Sequence, residues 1–400
     1  IRLSGPKALD YGKQLSHNKG QLRHAHYGPF LDHQGEQIDA GISLFFKGPD
    51  SFTGEDVFEF QGHGGQVVMD LLQRELTLLG ARIARPGEFS ERAFLNDKLD
   101  LAQAESIADL FDASSEQAAR NALRSLQGVF STHINALVES LIYLRLYVEA
   151  AIDFPEEEID FLAEGKVADT LSALQHALHR LLVSARQGAL MNRGAQIVIT
   201  GVPNAGKSSL LNCLAKDDIA IVTNIPGTTR DVIRQTITVQ GIAIEFSDTA
   251  GIRDARDEIE KEGIHRAHNE LHRADIILEV MDDTATNTAT VLTSSEIPSI
   301  CVYNKIDLSG RPAGTFNSEL THGNAVGVSA TTGEGMAALE QLIVGCLGLT
   351  DNGMTSAFSA RERHVVALQQ TTELLEQAIT QFSACGEGEL LAEDLRDVHE

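Results

Sequence analysis

The sequence predicts a mixed α/β and α protein: a small N-terminal α/β domain, then a helical domain interrupted by an inserted α/β domain that carries a phosphate loop. Three observations support this. Gln196 to Asn212 reads as a buried strand, a glycine-rich loop and a helix in direct succession. Residues 195 to 350 go on to alternate strand-like and helix-like patterns. The stretches on either side, from Leu99 to Leu190 and from Arg361 toward Glu400, keep helical spacing. The expected boundaries are 1–96 for the first domain, 97–192 with 354–400 for the helical one, and 193–353 for the insertion.

In the first domain, Ile42-Ser-Leu-Phe-Phe46 is a strand candidate closed by Gly48-Pro49. Val67 to Leu79 has helical spacing and stops at Gly80. The opening Ile1-Arg-Leu-Ser-Gly reads as the end of a strand, cut at its start. In the helical region neither Gly nor Pro occurs between Gly128 and Pro155. There Phe130, Ile134, Leu137, Leu141, Leu144 and Val148 alternate steps of four and three, an apolar seam for other helices. The acidic run Asp153 to Asp160 breaks that helix and reads as a solvated loop. A second helix is expected from about Val167 to Leu190. The helical segments flanking the insertion are expected to form one bundle. Leu395 to Glu400 carries no terminating signal and reads as cut short.

Composition sets limits on the partners. The 400 residues carry a net charge of −25, which argues against a broad basic face for nucleic acid. Cys213, Cys301, Cys346 and Cys385 are scattered without a C-x-x-C pair and read as reduced thiols of a cytosolic protein. His17, His24, His26, His33 and His63 lack metal-ligand spacing. No apolar run approaches membrane-span length, and no signal peptide is evident.

The chemistry concentrates in the insertion. Gly201 to Ser208 matches G-x-x-x-x-G-K-[ST], in which Gly201 and Gly206 let the backbone wrap a phosphate chain at a helix N-terminus. Lys207 is placed for the β- and γ-phosphates and the Ser208 hydroxyl for Mg²⁺. Asn204, Ala205, Gly206 and Ser209 complete the cradle. Gly227-Thr228-Thr229-Arg230-Asp231 lies in a polar loop before the alternating strand Val232 to Val239, and Thr229 is the candidate second Mg²⁺ hydroxyl. Asp248, Thr249, Ala250 and Gly251 follow a further strand, with Asp248 set to hold the Mg²⁺ water shell and the Gly251 amide to sense the γ-phosphate.

The base is read by Asn304, Lys305 and Asp307 after the apolar strand Ile300 to Tyr303. A carboxylate at Asp307 accepts two hydrogen bonds from guanine, whereas ATP would leave it buried and unpaired. Ser329, Ala330 and Thr331 fit the loop beside the guanine oxygen. Position 252 is isoleucine where Ras-like enzymes orient water with glutamine. Glu260, in an acidic stretch, is the candidate substitute; Arg230 and Arg253 lie near in sequence without an obvious arginine-finger role.

With these residues in place, the chain resembles the MnmE (TrmE) family of tRNA-modification GTPases. The match includes Phe52 to Glu59, Gln61-Gly-His-Gly-Gly65, Arg85 to Lys98, Ala150 to Pro155 and Pro203 to Ser209, and spans all three domains. The resemblance implies a folate-binding, dimerising N-terminal domain, a helical domain and an inserted Ras-like GTPase domain. It implies K⁺ in place of an arginine finger, ligated by Asn204 with Thr223, Ile225 and Thr228, in a nucleotide-contacting run that includes Asn224, Pro226 and Gly227. Glu260 aligns with the family's water-orienting glutamate. Arg2, Glu59 and Lys98 match the positions for 5,10-methylene- or 5-formyl-tetrahydrofolate. The family works as a homodimer with a flavoprotein, MnmG, that carries FAD, and builds an aminomethyl-type group on the wobble uridine of certain tRNAs. Its terminal Cys-x-Gly-Lys is not found in these 400 residues. Two other readings are an assembly GTPase of the Era or EngA type, which would carry a basic RNA-binding domain, and a folate-dependent aminomethyl transferase regulated by GTP.

Overall fold

The computed structural model describes residues 1–153, 166–215, 234–248, 274–285, 297–316, 324–349 and 358–399. They fall into two compact units, 1–108 and 109–400.

The first unit is built on a four-stranded antiparallel sheet. Its elements are β1 (Arg2–Ser4), α1 (Ala8–Leu15), β2 (His26–Leu31), β3 (Gln37–Phe46), β4 (Val57–Gln61), α2 (Gln66–Leu78), α3 (Glu88–Leu95) and the first turns of α4 (Leu101–Asp112). The strand order is β1-β4-β3-β2. Alternation drives one face inward, so Phe30, Phe45, Phe58 and Phe60 pack with Leu15, Leu72 and Leu76. Phe30 and Phe60 meet edge to face at 5.2 Å between ring centroids. α1 must carry Gly12, because a Cβ there would lie 2.4 Å from the Phe58 ring. The opposite face of β4 carries Glu59, directly across from Arg2 on β1.

The second unit joins helices to a seven-stranded sheet. α5 (Glu116–Leu126) starts at Ser115, whose side chain accepts from the Ala118 amide at 3.1 Å. α6 (Val129–Asp153) and α7 (Lys166–Arg193) follow, and α7 runs through Gly194, at φ +78°, into the central strand. After the sheet, α11 (Glu362–Cys385) packs on α7, and α12 (Gly388–His399) packs on α6 and α11. The flanking segments therefore do form one bundle. Within the predicted seam, Phe130, Leu141, Leu144 and Val148 are buried, whereas Ile134 and Leu137 are half-buried and line a groove with Leu174 and Leu178 of α7.

The sheet is ordered β10-β11-β9-β8-β5-β7-β6. Its strands are β5 (Ala195–Thr200), β6 (Arg234–Val239), β7 (Ile242–Asp248), β8 (Ile276–Asp282), β9 (Ser299–Asn304), β10 (Gly314–Phe316) and β11 (Ala325–Val328). β7, β5, β8, β9 and β11 are parallel, and β6 and β10 pair antiparallel at the edges. The helices here are α8 (Lys207–Leu214), the single turn α9 (Ile306–Ser309) and α10 (Met336–Cys346). Ile197, Ile199, Leu278, Val280, Ile300, Val302 and Val328 are fully buried, the near-continuous apolar pattern of a sheet covered on both faces. The chain leaves β5 toward β7 on one side and returns through β8 on the other. β5 is thus the switch point where such sheets hold ligands.

Around the insertion a polar latch ties the sheet's exit to the helices. Asp109 accepts from Ser359 Oγ at 2.6 Å and from Arg361 Nη2 at 2.9 Å. Ser125 Oγ donates to the Ser359 carbonyl at 2.9 Å, and the Ser359 amide donates to Asn121 O at 3.2 Å. α7 carries Gly188 at the same place, where a Cβ would lie 1.9 Å from the Phe358 carbonyl oxygen.

Candidate functional site

The phosphate loop emerges from the carboxyl end of β5 and closes on the N-terminus of α8. Its two glycines are required by both conformation and space. Gly201 has φ +141°, and a Cβ would lie 2.1 Å from Val280 O. Gly206 has φ +92°, and its Cβ would lie 2.2 Å from Asn304 Nδ2. Between them Asn204 holds φ +66°, a left-handed conformation that asparagine tolerates better than most residues. Lys207 is buried, and its ammonium lies over the loop, donating to Gly201 O at 3.0 Å and Val202 O at 3.2 Å. A phosphate chain in the loop would meet this ammonium and the backbone amides at the start of α8. The Ser208 hydroxyl is exposed, with no hydrogen-bond partner among the described residues, so it suits a Mg²⁺ ligand.

Two neighbouring strand ends lock this loop to the segment from Asn304 to Asp307. Asn304, buried at the end of β9, donates from Nδ2 to Ala205 O at 2.9 Å and accepts the Ala330 amide at 3.1 Å. Lys305, at φ +68°, donates from Nζ to Asn204 O at 2.8 Å and to Asp282 Oδ2 at 2.6 Å. Asp282 Oδ1 accepts from Thr284 N at 3.0 Å and Thr284 Oγ1 at 2.6 Å. The Lys305 ammonium, with the Thr284 bonds, holds the Asp282 carboxyl down at about 2. Ser329 is fully buried, its backbone bonded to Glu334 O at 2.9 Å and to the Gly333 amide at 2.8 Å, which shapes the Ser329-Ala330-Thr331 loop.

Asp307 sits on α9, exposed and without a hydrogen bond or ion pair to the described residues. The sequence reading had it buried. A one-turn helix at the strand end instead leaves it exposed, with both carboxylate oxygens unpartnered among the described residues.

Several predicted residues lie outside the described ones: Thr223 to Asp231, Thr249, Ala250, Gly251, Ile252, Arg253 and Glu260. Asp248 is described as the last residue of β7. The structure also brings in residues that the sequence reading missed. Asp282 closes β8 as Asp248 closes β7, with Asp283 directly after it, a strand-end acid pattern that could have flagged them. Asp283 ion-pairs Arg311 at 2.7 Å and also accepts from Ser309 Oγ. Arg311 lies over the Tyr303 ring at 4.6 Å and the Phe316 ring at 4.9 Å, which fixes the loop after α9.

In the first unit, Arg2 Nε donates to Glu59 Oε1 at 2.7 Å, and the guanidinium lies 5.3 Å from the Phe52 ring centroid. Gln61 Nε2 adds a bond to Glu59 Oε2 at 3.1 Å. Arg2 also lines a cleft of about 430 Å³ with Tyr11, Phe89 and Arg92. Lys98 is exposed and passes over Gly54, with no hydrogen bond to Arg2 or Glu59. The structure therefore brings two of the three predicted residues together. Beside the cleft, hydrogen bonds from Arg82, the Arg85 amide and Arg92 keep the Glu88 carboxyl far below the usual carboxylate range.

The family model for the MnmE helical domain matches residues 101–400, and that for the TrmE N-terminus, described as a GTP-binding protein, matches residues 1–98. The chain belongs to the MnmE (TrmE) family of tRNA-modification GTPases. The tRNA modification GTPase MnmE of Marinobacter nauticus is 51% identical over 405 residues, covering 99% of this chain and 89% of that protein. That of Chromohalobacter salexigens is 53% identical over 410 residues, covering 100% and 89%. Among solved structures, the G domain of the T. maritima FeoB iron transporter aligns with 38% of this chain and 98% of its own, at 26% identity and a TM-score of 0.29. Among the described residues no helix is long and apolar enough to cross a membrane.

Proposed function

We propose that the chain hydrolyses GTP with Mg²⁺ and K⁺, as a cytoplasmic homodimer, and works with the flavoprotein MnmG on the wobble uridine of certain tRNAs. The product would be a (carboxymethyl)aminomethyl group at C5, with a tetrahydrofolate supplying the one-carbon unit. The observation that carries the cation part is Asn204. Its backbone is fixed at the crest of the loop by the Lys305 ammonium on its carbonyl, while its side chain is exposed and unbonded among the described residues. That side chain is available as a cation ligand, with Thr223, Ile225 and Thr228 as the further ligands.

K⁺ there would supply the positive charge that an arginine finger otherwise brings to the transferring phosphoryl group. The chain's own residues do the remainder. Lys207 and the loop amides hold the phosphates, Ser208 and Thr229 offer hydroxyls to Mg²⁺, and Glu260 orients the attacking water. In the first unit, the Glu59 carboxylate suits the donors of a pterin ring, and Arg2 the glutamate tail of a folate at the cleft. A net charge of −25 fits a tRNA held mainly by the complex.

GTP hydrolysis in matched KCl and NaCl, with Asn204→Ala alongside, tests the cation part. Stimulation by K⁺ that vanishes in the variant supports it. Equal, slow rates in both salts would contradict it.

A further inference from the structure

The ion pair between Asp282 and Lys305 lies beside the nucleotide site, and its acid belongs to none of the motifs that mark a GTPase. We propose that Asp282 is a positioning residue for guanine-nucleotide binding: its carboxylate holds the Lys305 ammonium against the crest of the phosphate loop, so that the loop and the base-reading strand end are set before the nucleotide arrives.

Geometry makes this carboxylate a fixed clamp. Oδ2 accepts from Lys305 Nζ at 2.6 Å, and Oδ1 is occupied by the Thr284 amide and hydroxyl at 3.0 and 2.6 Å. With both oxygens engaged, the carboxylate cannot turn away. The same ammonium donates to Asn204 O at 2.8 Å, so one cation joins the end of β8, the end of β9 and the phosphate loop. Lysine has a flexible stem and a strongly hydrated head, and unpaired it would lose little by leaving the loop for water. The adjacent Asp283 cannot substitute, because it is taken up by Arg311 and Ser309. Asn304 provides a second tie from β9 to the loop, through its side chain to Ala205 O, and its carbonyl accepts the Asp283 amide at 3.0 Å, but neither bond holds the Lys305 ammonium.

The sign of the effect separates positioning from simple electrostatics. An acid near a polyphosphate repels it, so removing the charge should tighten binding of an anionic nucleotide if charge alone mattered. Positioning requires the reverse.

The proposal rests on the guanine-nucleotide reading of this site and not on K⁺ or folate. The test is the affinity of the full chain for fluorescent GDP and GTP in a double-substitution cycle of Asp282→Asn and Lys305→Gln, with Asp283→Asn as the neighbouring control. Asp282→Asn is expected to weaken both nucleotides about ten-fold, with the nucleotide-free chain still folded and melting cooperatively. In the Lys305→Gln background the same change is expected to do nothing further, because the partner it acts through is gone. The double variant leaves no lone charge and is read against Lys305→Gln should the single variant not fold. Unchanged or tighter binding by Asp282→Asn overturns the proposal, as does a full ten-fold loss in the Lys305→Gln background. Failure of the wild type itself to bind GDP would instead overturn the underlying site.

Discussion

Asp307→Asn separates base recognition from folding, because Asp307 is exposed and unpartnered among the described residues. The substitution is near-isosteric and removes no internal bond, so the nucleotide-free melting curve should not move. In the proposed complex, the carboxylate would accept two guanine donors. Each charge-assisted bond is worth about 1.5–3 kcal/mol, with the low end apt for a residue open to solvent on one side. Two such bonds give about 3 kcal/mol, or roughly a hundred-fold loss of GDP affinity. Xanthine presents a carbonyl where guanine has its amine, and the asparagine amide can donate to it. Affinity for xanthosine diphosphate should therefore rise as that for GDP falls. Titration calorimetry of both ligands against both proteins measures the two shifts. A GDP affinity unchanged within two-fold, with no gain for the xanthine nucleotide, would refute the assignment of Asp307 to the base.

Two more predictions concern stability. Asp109→Ala removes the acceptor for Ser359 Oγ and Arg361 Nη2 and should cost about 2–3 kcal/mol in denaturant unfolding; a loss below about 0.5 kcal/mol would show that the latch does not hold the sheet's exit to the helices. The carboxyl of Asp282 is lowered from 3.8 to about 2 in the fold, so its contribution is fully present above about pH 4 and is lost as pH falls through about 2. The gap in melting temperature between wild type and Asp282→Asn should close across that window, and a gap constant from pH 5 to 2 would contradict the ion pair.

The sequence makes the phosphate loop, its strand and its helix legible because that motif is local: two glycines, a lysine and a serine within eight positions, with backbone demands that neighbouring residues meet. The helical bundle is legible for the same reason, since Phe130, Leu141, Leu144 and Val148 repeat at helix spacing. The clamp on Lys305 is not. Asp282 and Lys305 are 23 positions apart, and only the parallel pairing of β8 with β9 brings the two strand ends together. The Asp109 latch spans 250 positions to Ser359 and leaves no periodic trace. The exposure of Asp307 depends on the single turn α9, too short to give a pattern of its own. Arg2 and Glu59 carry no local pattern and are marked in the sequence only by the family resemblance; their cross-strand register accounts for the pairing.

A guanine-nucleotide hydrolase site organised around Lys207 should lose turnover when that ammonium is removed. The most direct measurement is phosphate release by the wild type and Lys207→Ala, with GTP or ATP as substrate in KCl and Mg²⁺. Release is expected from GTP, with little from ATP, and the GTP activity is lost in the variant while its fold is retained. Equal turnover of ATP, or a Lys207→Ala variant as active as wild type, would contradict it.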